Sequence, residues 1–264
     1  MSSRLKSDQR AKVKNFMSWC NAPEKTAISC LTQANWNIEV ACDNYYQNPQ
    51  LYTEQAGSAD NHRIQQMFDR YANDPADNLP QRIGPNGIVR LLGDLRLEDS
   101  DRRTLVLAHK LNAQVQCEFS WEEWRDGLSK LRVDSVDSLR MRLDELDEGL
   151  HDLASFRELY LFTFTYAKSV SQRSLELDTA IAYWRILFKD RFPLLHLWEK
   201  FMETEHKRAV SRDTWNLLFD FAFSIRHDLS NYDDEGAWPV VLDNFVAWAR
   251  PQLSSNNPND MMTS

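Results

Sequence analysis

Four cysteines are the residues of this sequence that could act as nucleophiles: Cys20, Cys30, Cys42 and Cys117. A catalytic thiol needs an activating base beside it in space. Cys30 and Cys42 lie on apolar helical stripes, where a free cysteine usually packs as a small hydrophobe, whereas Cys20 and Cys117 are less clearly buried. The sequence has no CxxC pair, no zinc-like spacing with its six histidines, and no H-E-x-x-H or G-x-S-x-G motif. These residues therefore predict no catalytic centre, no metal site and no cofactor, and the thiols are expected to be reduced.

Two helix, loop, helix patterns at residues 64–95 and 105–131 resemble EF-hands in outline. A calcium loop uses oxygen ligands at positions 1, 3, 5 and 12 and glycine at position 6. If Phe119 takes the apolar eighth position, the second loop starts at Asn112, carries Cys117 at position 6 and offers Glu123 as its one carboxylate. In the first pattern no frame supplies both the acidic ligands and the glycine. The sequence thus predicts EF-hand-like helix pairs that serve as scaffold and do not bind calcium.

Acidic side chains are concentrated near the C-terminus without neighbouring cations. Residues 228–249 contain five acids, four aromatic residues and no Lys or Arg: Asp228, Asp233, Asp234, Glu235 and Asp243, with Tyr232, Trp238, Phe245 and Trp248. An acidic and aromatic surface suits docking of a basic protein segment. A structural interpretation also fits, in which Asp213 is a helix N-cap, Asp243 complements a helix dipole and residues 233–235 form a solvated loop. Charge alone leaves both interpretations open.

The elements that must position these groups are predicted to be helices, so the fold class is all-α. Seven glycines in 264 residues are too few for a turn-rich β fold, and apolar residues recur at i, i+3, i+4 and i+7 along most of the chain. The first fifty residues predict three short helices, with Pro23 opening the second and Asn37 capping the third. Farther on, Ser120 and Glu123 form a capping box, and residues 156–167 predict a buried central helix.

Charge and composition also indicate the domain boundaries of the chain and the classes of partner that it binds. Residues 51–264 carry 25 Lys and Arg against 35 acids, which argues against nucleic acid and for a basic protein surface as partner. No stretch approaches the roughly 18 apolar residues of a membrane helix, and the N-terminus lacks an apolar signal core. We predict a small bundle over residues 8–47, a linker over 48–61, a larger helical domain over 62–252 and a polar tail over 253–264.

The chain resembles the defective-in-cullin-neddylation family in five strings: EKTAISCLTQANW, CDNYYQNPQLY, ELDTAIAYW, DTWNLL and SNYDDEGAWPVVLDNFVAWARPQ. The resemblance spans about residues 4–252 and implies a UBA-like bundle followed by a helical PONY (potentiating neddylation) domain. It also implies a non-catalytic scaffold-type ligase component of the nucleus and cytoplasm. Such a protein binds a cullin C-terminal domain and the neddylation conjugating enzyme together. It thereby orients the modifier thioester toward the acceptor lysine beside the cullin-bound RING protein.

Two binding sites follow from the resemblance. The family's acidic cullin-docking patch falls on Asp213, Ala237 and Asp243. The conjugating enzyme presents an N-acetylated methionine to an apolar pocket. By the matching strings, this pocket is lined by Ile88, Leu105, Leu107, Ala108, Leu111, Gln116, Cys117, Phe119, Tyr166, Tyr183 and Ile186.

The UBA-like part departs from the usual ubiquitin-binding pattern. Residues 17–21 read Met-Ser-Trp-Cys-Asn, without the Met-Gly-aromatic string that commonly meets ubiquitin. The resemblance still implies a ubiquitin-binding bundle, and a purely structural bundle is the alternative. For the whole chain, the alternative to a neddylation scaffold is a ubiquitin-binding adaptor without neddylation activity.

Overall fold

The first three helices enclose a small core of their own. The computed structural model of the protein describes residues 6–22, 24–47, 61–169 and 171–255. In its first part, α1 spans Ser7–Cys20, α2 Glu24–Gln33 and α3 Ile38–Gln47. Their apolar stripes meet in nine buried residues: Val13, Phe16, Cys20, Ala22, Ala27, Cys30, Leu31, Ala34 and Ala41. The side chain of Asn37 accepts hydrogen bonds from the amides of Glu39 and Val40, which confirms the predicted cap. Pro23, and residues 48–60 of the predicted linker, lie outside the described residues.

Two helix pairs joined by a short sheet begin the larger domain. Helices α4 (Asn61–Tyr71) and α5 (Pro85–Leu95) flank strand β1 (Arg82–Ile83), and α6 (Arg102–Lys110) and α7 (Trp121–Leu131) flank β2 (Phe119–Ser120). The strands pair antiparallel, with Ile83 opposite Phe119. Pairing of the two loops through such a ladder is the EF-hand arrangement that the sequence predicts. The capping box at the start of α7 is also confirmed, because the Glu123 carboxylate accepts from the Ser120 amide at 2.7 Å.

The remaining helices pack around one apolar helix. They are α8 (Val136–Glu148), α9 (Leu153–Ala167), α10 (Leu177–Phe188), α11 (Leu195–Phe201), α12 (Arg212–Ser224) and α13 (Val240–Ser255). Helix α9 is the predicted central helix: the Tyr160 ring stacks on Trp215 of α12 at 4.7 Å, and its hydroxyl donates to the Trp215 carbonyl. Trp184 of α10 stacks on the same indole at 5.4 Å. Aromatic pairs of this kind add to the stabilisation from buried area. The Trp184 indole also donates to the Tyr160 hydroxyl, so α9 is tied to both α10 and α12.

Helix termini differ from the sequence prediction at two places near the C-terminus. Ser211, rather than Asp213, is the N-cap of α12, because its hydroxyl accepts from the amide of Thr214. Asp213 lies in the first turn of that helix. Helix α13 continues through Pro251 to Ser255 and so extends into the segment 253–264 that the sequence predicts as a polar tail. Among the described residues, no helix has both the length and the apolar character that crossing a bilayer requires.

Candidate functional site

An apolar cavity of about 590 Å³ opens between α5, α6, α10 and the second EF-like loop. Nine of the eleven residues predicted for the pocket line it: Ile88, Leu105, Leu107, Gln116, Cys117, Phe119, Tyr166, Tyr183 and Ile186. The structure therefore brings together side chains from five segments, α5, α6, the second EF-like loop, α9 and α10, that lie up to about a hundred residues apart. Cavities of a few hundred cubic ångströms with mostly apolar walls are typical ligand sites.

The second EF-like loop forms one wall of this cavity. Cys117 adopts a left-handed backbone with φ 59° at the position where a calcium loop has glycine. Its amide donates to the hydroxyl of Tyr166 in α9 at 3.2 Å, which ties the loop to the central helix. Burial raises the pKa of Tyr166 to about 12, so this hydroxyl stays protonated at neutral pH. The wall thus combines a fixed loop backbone with the aromatic faces of Tyr166 and Phe119.

Ala108 and Leu111, which the resemblance also places in the pocket, do not line this cavity. Ala108 is 1% exposed and Leu111 is 2% exposed. Four consecutive residues of α6, 105–108, are buried, so the helix is enclosed on most sides and only part of it faces the cavity. Leu111 instead packs against Gly127 of α7. Both residues are core, as their helical periodicity alone predicts.

Several residues at the cavity were not predicted: Pro85, Val89, Leu91, Leu92, Asp99, Thr104, Asp178, Thr179 and Ala182. The apolar stripe of α5 is visible in the sequence, but its periodicity does not say which neighbour it faces. Val89 is 69% exposed, and the carboxylates of Asp99 and Asp178 are also exposed, so they form part of the mouth. An apolar interior with acids at its mouth suits an apolar group followed by a cation.

The carboxylate expected at position 12 of the second loop is used within the protein. Glu123 accepts hydrogen bonds from the backbone amides of Gln114 and Ser120. In the first loop, the side chain of Asp77 accepts from the amide of Asn86 at the start of α5. Across the described residues, no three His, Cys, Asp or Glu side chains are grouped in a way that could hold a metal ion.

The three residues of the predicted acidic patch lie on α12, on the segment before α13, and on α13. Asp213 is exposed in the first turn of α12, and Ala237 is exposed. Asp243, in the first turn of α13, is half-buried and accepts a hydrogen bond from the hydroxyl of Tyr232. Burial, together with this carboxylate, raises the pKa of Tyr232. The two carboxylates therefore differ: the Asp213 side chain is solvated, whereas Asp243 is held by a buried phenol.

The aromatic residues near this patch are mostly core, so of the two interpretations that the sequence left open, the structural one holds for the aromatic side chains. Tyr232 is 7% exposed and Phe245 is fully buried, while Trp238 and Trp248 are half-buried. Part of the acidic charge is also compensated, because Asp234 pairs with Arg250 at 3.0 Å. What remains for a partner is chiefly the carboxylates and the exposed Ala237.

The four thiols lie in different settings, and none of the pKa shifts favours a nucleophile. Burial raises the pKa of Cys30 to about 11 and that of Cys42 to about 12, and burial also raises the pKa of Cys117. A reactive thiol needs its pKa lowered. Cys20 is buried and Cys117 is exposed, which settles the two positions that the sequence left ambiguous. The Sγ atoms of Cys20 and Cys42 lie 3.4 Å apart.

Comparison with known proteins is consistent with this architecture. A family model described as UBA-like domain matches residues 10–51, and one described as Cullin binding matches residues 138–248. Defective in cullin neddylation protein 1 of Caenorhabditis elegans is 43% identical over 98% of this chain and 95% of its own length. DCN1-like protein 4 of Danio rerio is 36% identical over 81% of this chain and 75% of its own. DCN1-like protein 5 of Homo sapiens is 35% identical over 66% of this chain and 73% of its own. With such identity over nearly all of both the nematode protein and this chain, the protein belongs to the defective-in-cullin-neddylation family.

Proposed function

We propose that this protein is a scaffold-type ligase component that promotes cullin neddylation. It binds a cullin C-terminal domain and the neddylation conjugating enzyme at the same time and holds the modifier thioester toward the acceptor lysine. The observation that carries the proposal is the apolar cavity with acids at its mouth, in a chain that also matches a cullin-binding domain. The curated relatives, whose names refer to cullin neddylation, support the same pathway.

The cavity is the proposed site for the N-acetylated methionine of the conjugating enzyme. Its interior is apolar, and Leu105, Leu107 and Tyr183 in its walls are buried, so it favours an unbranched apolar side chain without a net charge. Acetylation removes the charge of the terminal amine, which would otherwise enter a poorly solvated space. Asp99 and Asp178 at the mouth are suited to cationic residues that follow the methionine.

The acidic patch of Asp213, Ala237 and Asp243 is the proposed cullin contact. No ion pair to Asp213 or Asp243 is formed within the part of the chain that the structure describes. Their charges are thus available to Lys or Arg of a partner, and exposed Ala237 permits close approach of its backbone. The cullin-binding family match covers all three positions, which supports this assignment.

Catalysis by such a scaffold comes from proximity and orientation. Holding two reactants in register converts a bimolecular step into an effectively unimolecular one and needs no nucleophile from the scaffold. This fits the raised thiol pKa values. In this proposal the cavity and the patch must be on one molecule, and that requirement can be tested.

Reconstituted cullin neddylation with two complementary variants provides the test. Ala182→Arg fills the cavity from an exposed position of α10, and Asp213→Lys reverses one charge of the patch. We expect each variant alone to lose the stimulation, and an equimolar mixture of the two to remain inactive. Restoration by the mixture would show that the sites act independently and would contradict the scaffold. Ala154→Arg, at an exposed position of α9 outside the cavity, is the matched control.

A second candidate function, ubiquitin binding, is favoured by the surface of the UBA-like bundle. Trp19 at the end of α1 is 58% exposed and Tyr46 on α3 is 62% exposed. The Tyr46 hydroxyl donates to the Trp19 backbone carbonyl at 2.8 Å, so Tyr46 lies beside the end of α1 that carries the exposed Trp19. Titration of the full chain with labelled ubiquitin tests this function, with Trp19→Ser expected to weaken binding while cullin neddylation is unchanged.

A further inference from the structure

Two cysteines of the UBA-like bundle form a close pair that the proposed function does not use. Cys20 is the last residue of α1 and Cys42 lies in the first half of α3, with their Sγ atoms 3.4 Å apart. A disulfide has an S–S length of about 2.05 Å, so small side-chain rotations would bring the two sulfurs to bonding distance. Cys30 of α2 is buried in the same core, and Cys117 belongs to the other domain.

We propose that Cys20 and Cys42 are an oxidation site, and that exchange with a small-molecule disulfide such as glutathione disulfide links them covalently. The two thiols differ in access, which sets the order of events. Cys42 is partly exposed and takes the first attack, whereas Cys20 is 6% exposed and follows as the resolving thiol. Redox-sensing cysteines are accessible thiols next to a resolving thiol, and most also have a lowered pKa. This pair has the access and the second thiol, whereas the raised pKa of Cys42 makes the exchange slow at neutral pH.

The exchange proceeds in two balanced steps. The Cys42 thiolate, having released its proton to water, attacks one sulfur of glutathione disulfide; the S–S bond breaks and one glutathione thiolate leaves. The Cys20 thiol then loses its proton and attacks Sγ of Cys42, which releases the second glutathione. Overall, two protein thiols are oxidised to one disulfide, one glutathione disulfide is reduced to two glutathiones, and the two released protons are taken up by the glutathione thiolates.

The link would act directly beneath the exposed aromatic surface of the bundle. Trp19 precedes Cys20, and Tyr46 lies one helical turn after Cys42, on the same face of α3. With both thiols free, the hydrogen bond from the Tyr46 hydroxyl to the Trp19 carbonyl already joins the end of α1 to α3. A covalent link closes a segment of residues 20–42 and restricts its local opening. Oxidation would therefore stiffen the surface that carries Trp19 and Tyr46.

Disulfide mapping of the full chain tests the proposal. The protein is incubated with glutathione disulfide at mildly alkaline pH, because burial raises the pKa of Cys42 to about 12 and slows exchange at neutral pH. Proteolysis without reductant and mass spectrometry should then yield a linked peptide pair containing Cys20 and Cys42, two hydrogens lighter than the two separate peptides. Hydrogen exchange of α1 and α3 amides should slow by at least about tenfold on oxidation.

Three controls make the result decisive. The Cys117→Ser chain should give the same linkage, because Cys117 lies in the other domain, and Cys42→Ser should abolish both the linkage and the slower exchange. A lasting glutathione adduct on Cys42, two free thiols, or a bond from either cysteine to Cys30 would each overturn the proposal. The mapping uses the unmodified sequence, so the conclusion stands even if Cys42→Ser is unstable.

Discussion

At the residue scale, the two carboxylates of the acidic patch are not equivalent. Asp213 is exposed in a first helical turn, where the helix dipole favours an acid without a specific partner. Asp243 is half-buried and bonded to the hydroxyl of Tyr232, so its position is fixed before any partner arrives. We therefore expect Asp213 to contribute mainly solvated charge, and Asp243 to contribute a preorganised hydrogen-bond acceptor.

The first prediction concerns these two acids. Asp213→Lys combined with Asp243→Lys should abolish cullin binding, because breaking a partly desolvated ion pair costs at least about 2 kcal/mol, or roughly 30-fold in Kd. Calorimetry with an isolated cullin C-terminal domain measures the loss, and circular dichroism reports whether the fold is kept. Asp69→Lys on α4 is a control with the same charge change per residue, at an exposed acid outside the patch. Unchanged affinity with an unchanged spectrum would contradict the patch assignment.

The second prediction concerns the cavity. An unacetylated peptide from the conjugating enzyme should bind at least about tenfold more weakly than the acetylated form, some 1.4 kcal/mol, because burying an ammonium is costly while the methionine is buried in both. Ala182→Arg should remove the difference by filling the cavity. Ala108→Arg is unsuitable for this test, because Ala108 is buried and an arginine there would destabilise the fold.

Fluorescence polarisation with the two peptides measures this difference. Ala154→Arg, at an exposed position of α9, should keep the preference for the acetylated form. Equal affinities of the two peptides for the unmodified protein would mean that the cavity does not recognise the acetylated terminus.

At the element scale, two glycines allow the helices of each EF-like pair to approach closely. An ideal Cβ at Gly87 of α5 would lie closer than 3.0 Å to the Tyr71 carbonyl at the end of α4. A Cβ at Gly127 of α7 would meet Leu111 at a similarly short distance, including its backbone. Backbone atoms cannot move aside cheaply, so both helix pairs depend on the missing side chain.

The third prediction follows from these contacts. Gly87→Ala and Gly127→Ala should each destabilise the protein by about 1 to 3 kcal/mol, as expected for overpacking. Gly93→Ala is the matched control in α5, because an added Cβ there meets nothing within 4 Å. That change should stabilise the helix by about 0.5 to 1 kcal/mol. Urea unfolding measures all three, and a neutral Gly87→Ala would show that the helices are less tightly packed than the structure indicates.

At the scale of the whole molecule, a scaffold needs its surfaces and its fold but no nucleophile. The larger core unites all the helices from α4 to α13, so the cavity and the patch belong to one packed domain. We therefore expect stimulation of cullin neddylation to depend on whether that domain is folded and not on the chemistry of any one thiol. The UBA-like bundle has a separate core.

The fourth prediction tests this independence from thiol chemistry. Replacing Cys20, Cys30, Cys42 or Cys117 singly by Ser or Ala should leave neddylation stimulation intact, except where stability falls or, for Cys117, where the cavity changes shape. Initial rates in the reconstituted reaction provide the measurement. Detection of a modifier thioester on any of the four, in a gel without reductant, would refute the scaffold mechanism.

The sequence alone determined much of this protein. Local patterns specify the helices, because capping residues such as Asn37 and Ser120 and the i, i+4 stripes act within a turn or two. The ligands of a calcium loop also come from one short segment, so the sequence alone shows that the second EF-like loop lacks most of the calcium-binding side chains. Matching strings identified the family. Nine of the residues that they assign to a pocket line the cavity, whose ligand stays a prediction.

Only the tertiary structure decided which side of each buried helix meets solvent, a partner or the core. Ala108 and Leu105 are both buried on α6, yet Leu105 alone of the two lines the cavity, because that depends on how α5 and α10 pack against the helix. Likewise, no local pattern places the Tyr232 hydroxyl on Asp243 or the sulfur of Cys20 beside that of Cys42. These contacts join residues on separate elements, and their geometry is fixed by packing of the whole core rather than by the periodicity of any one helix.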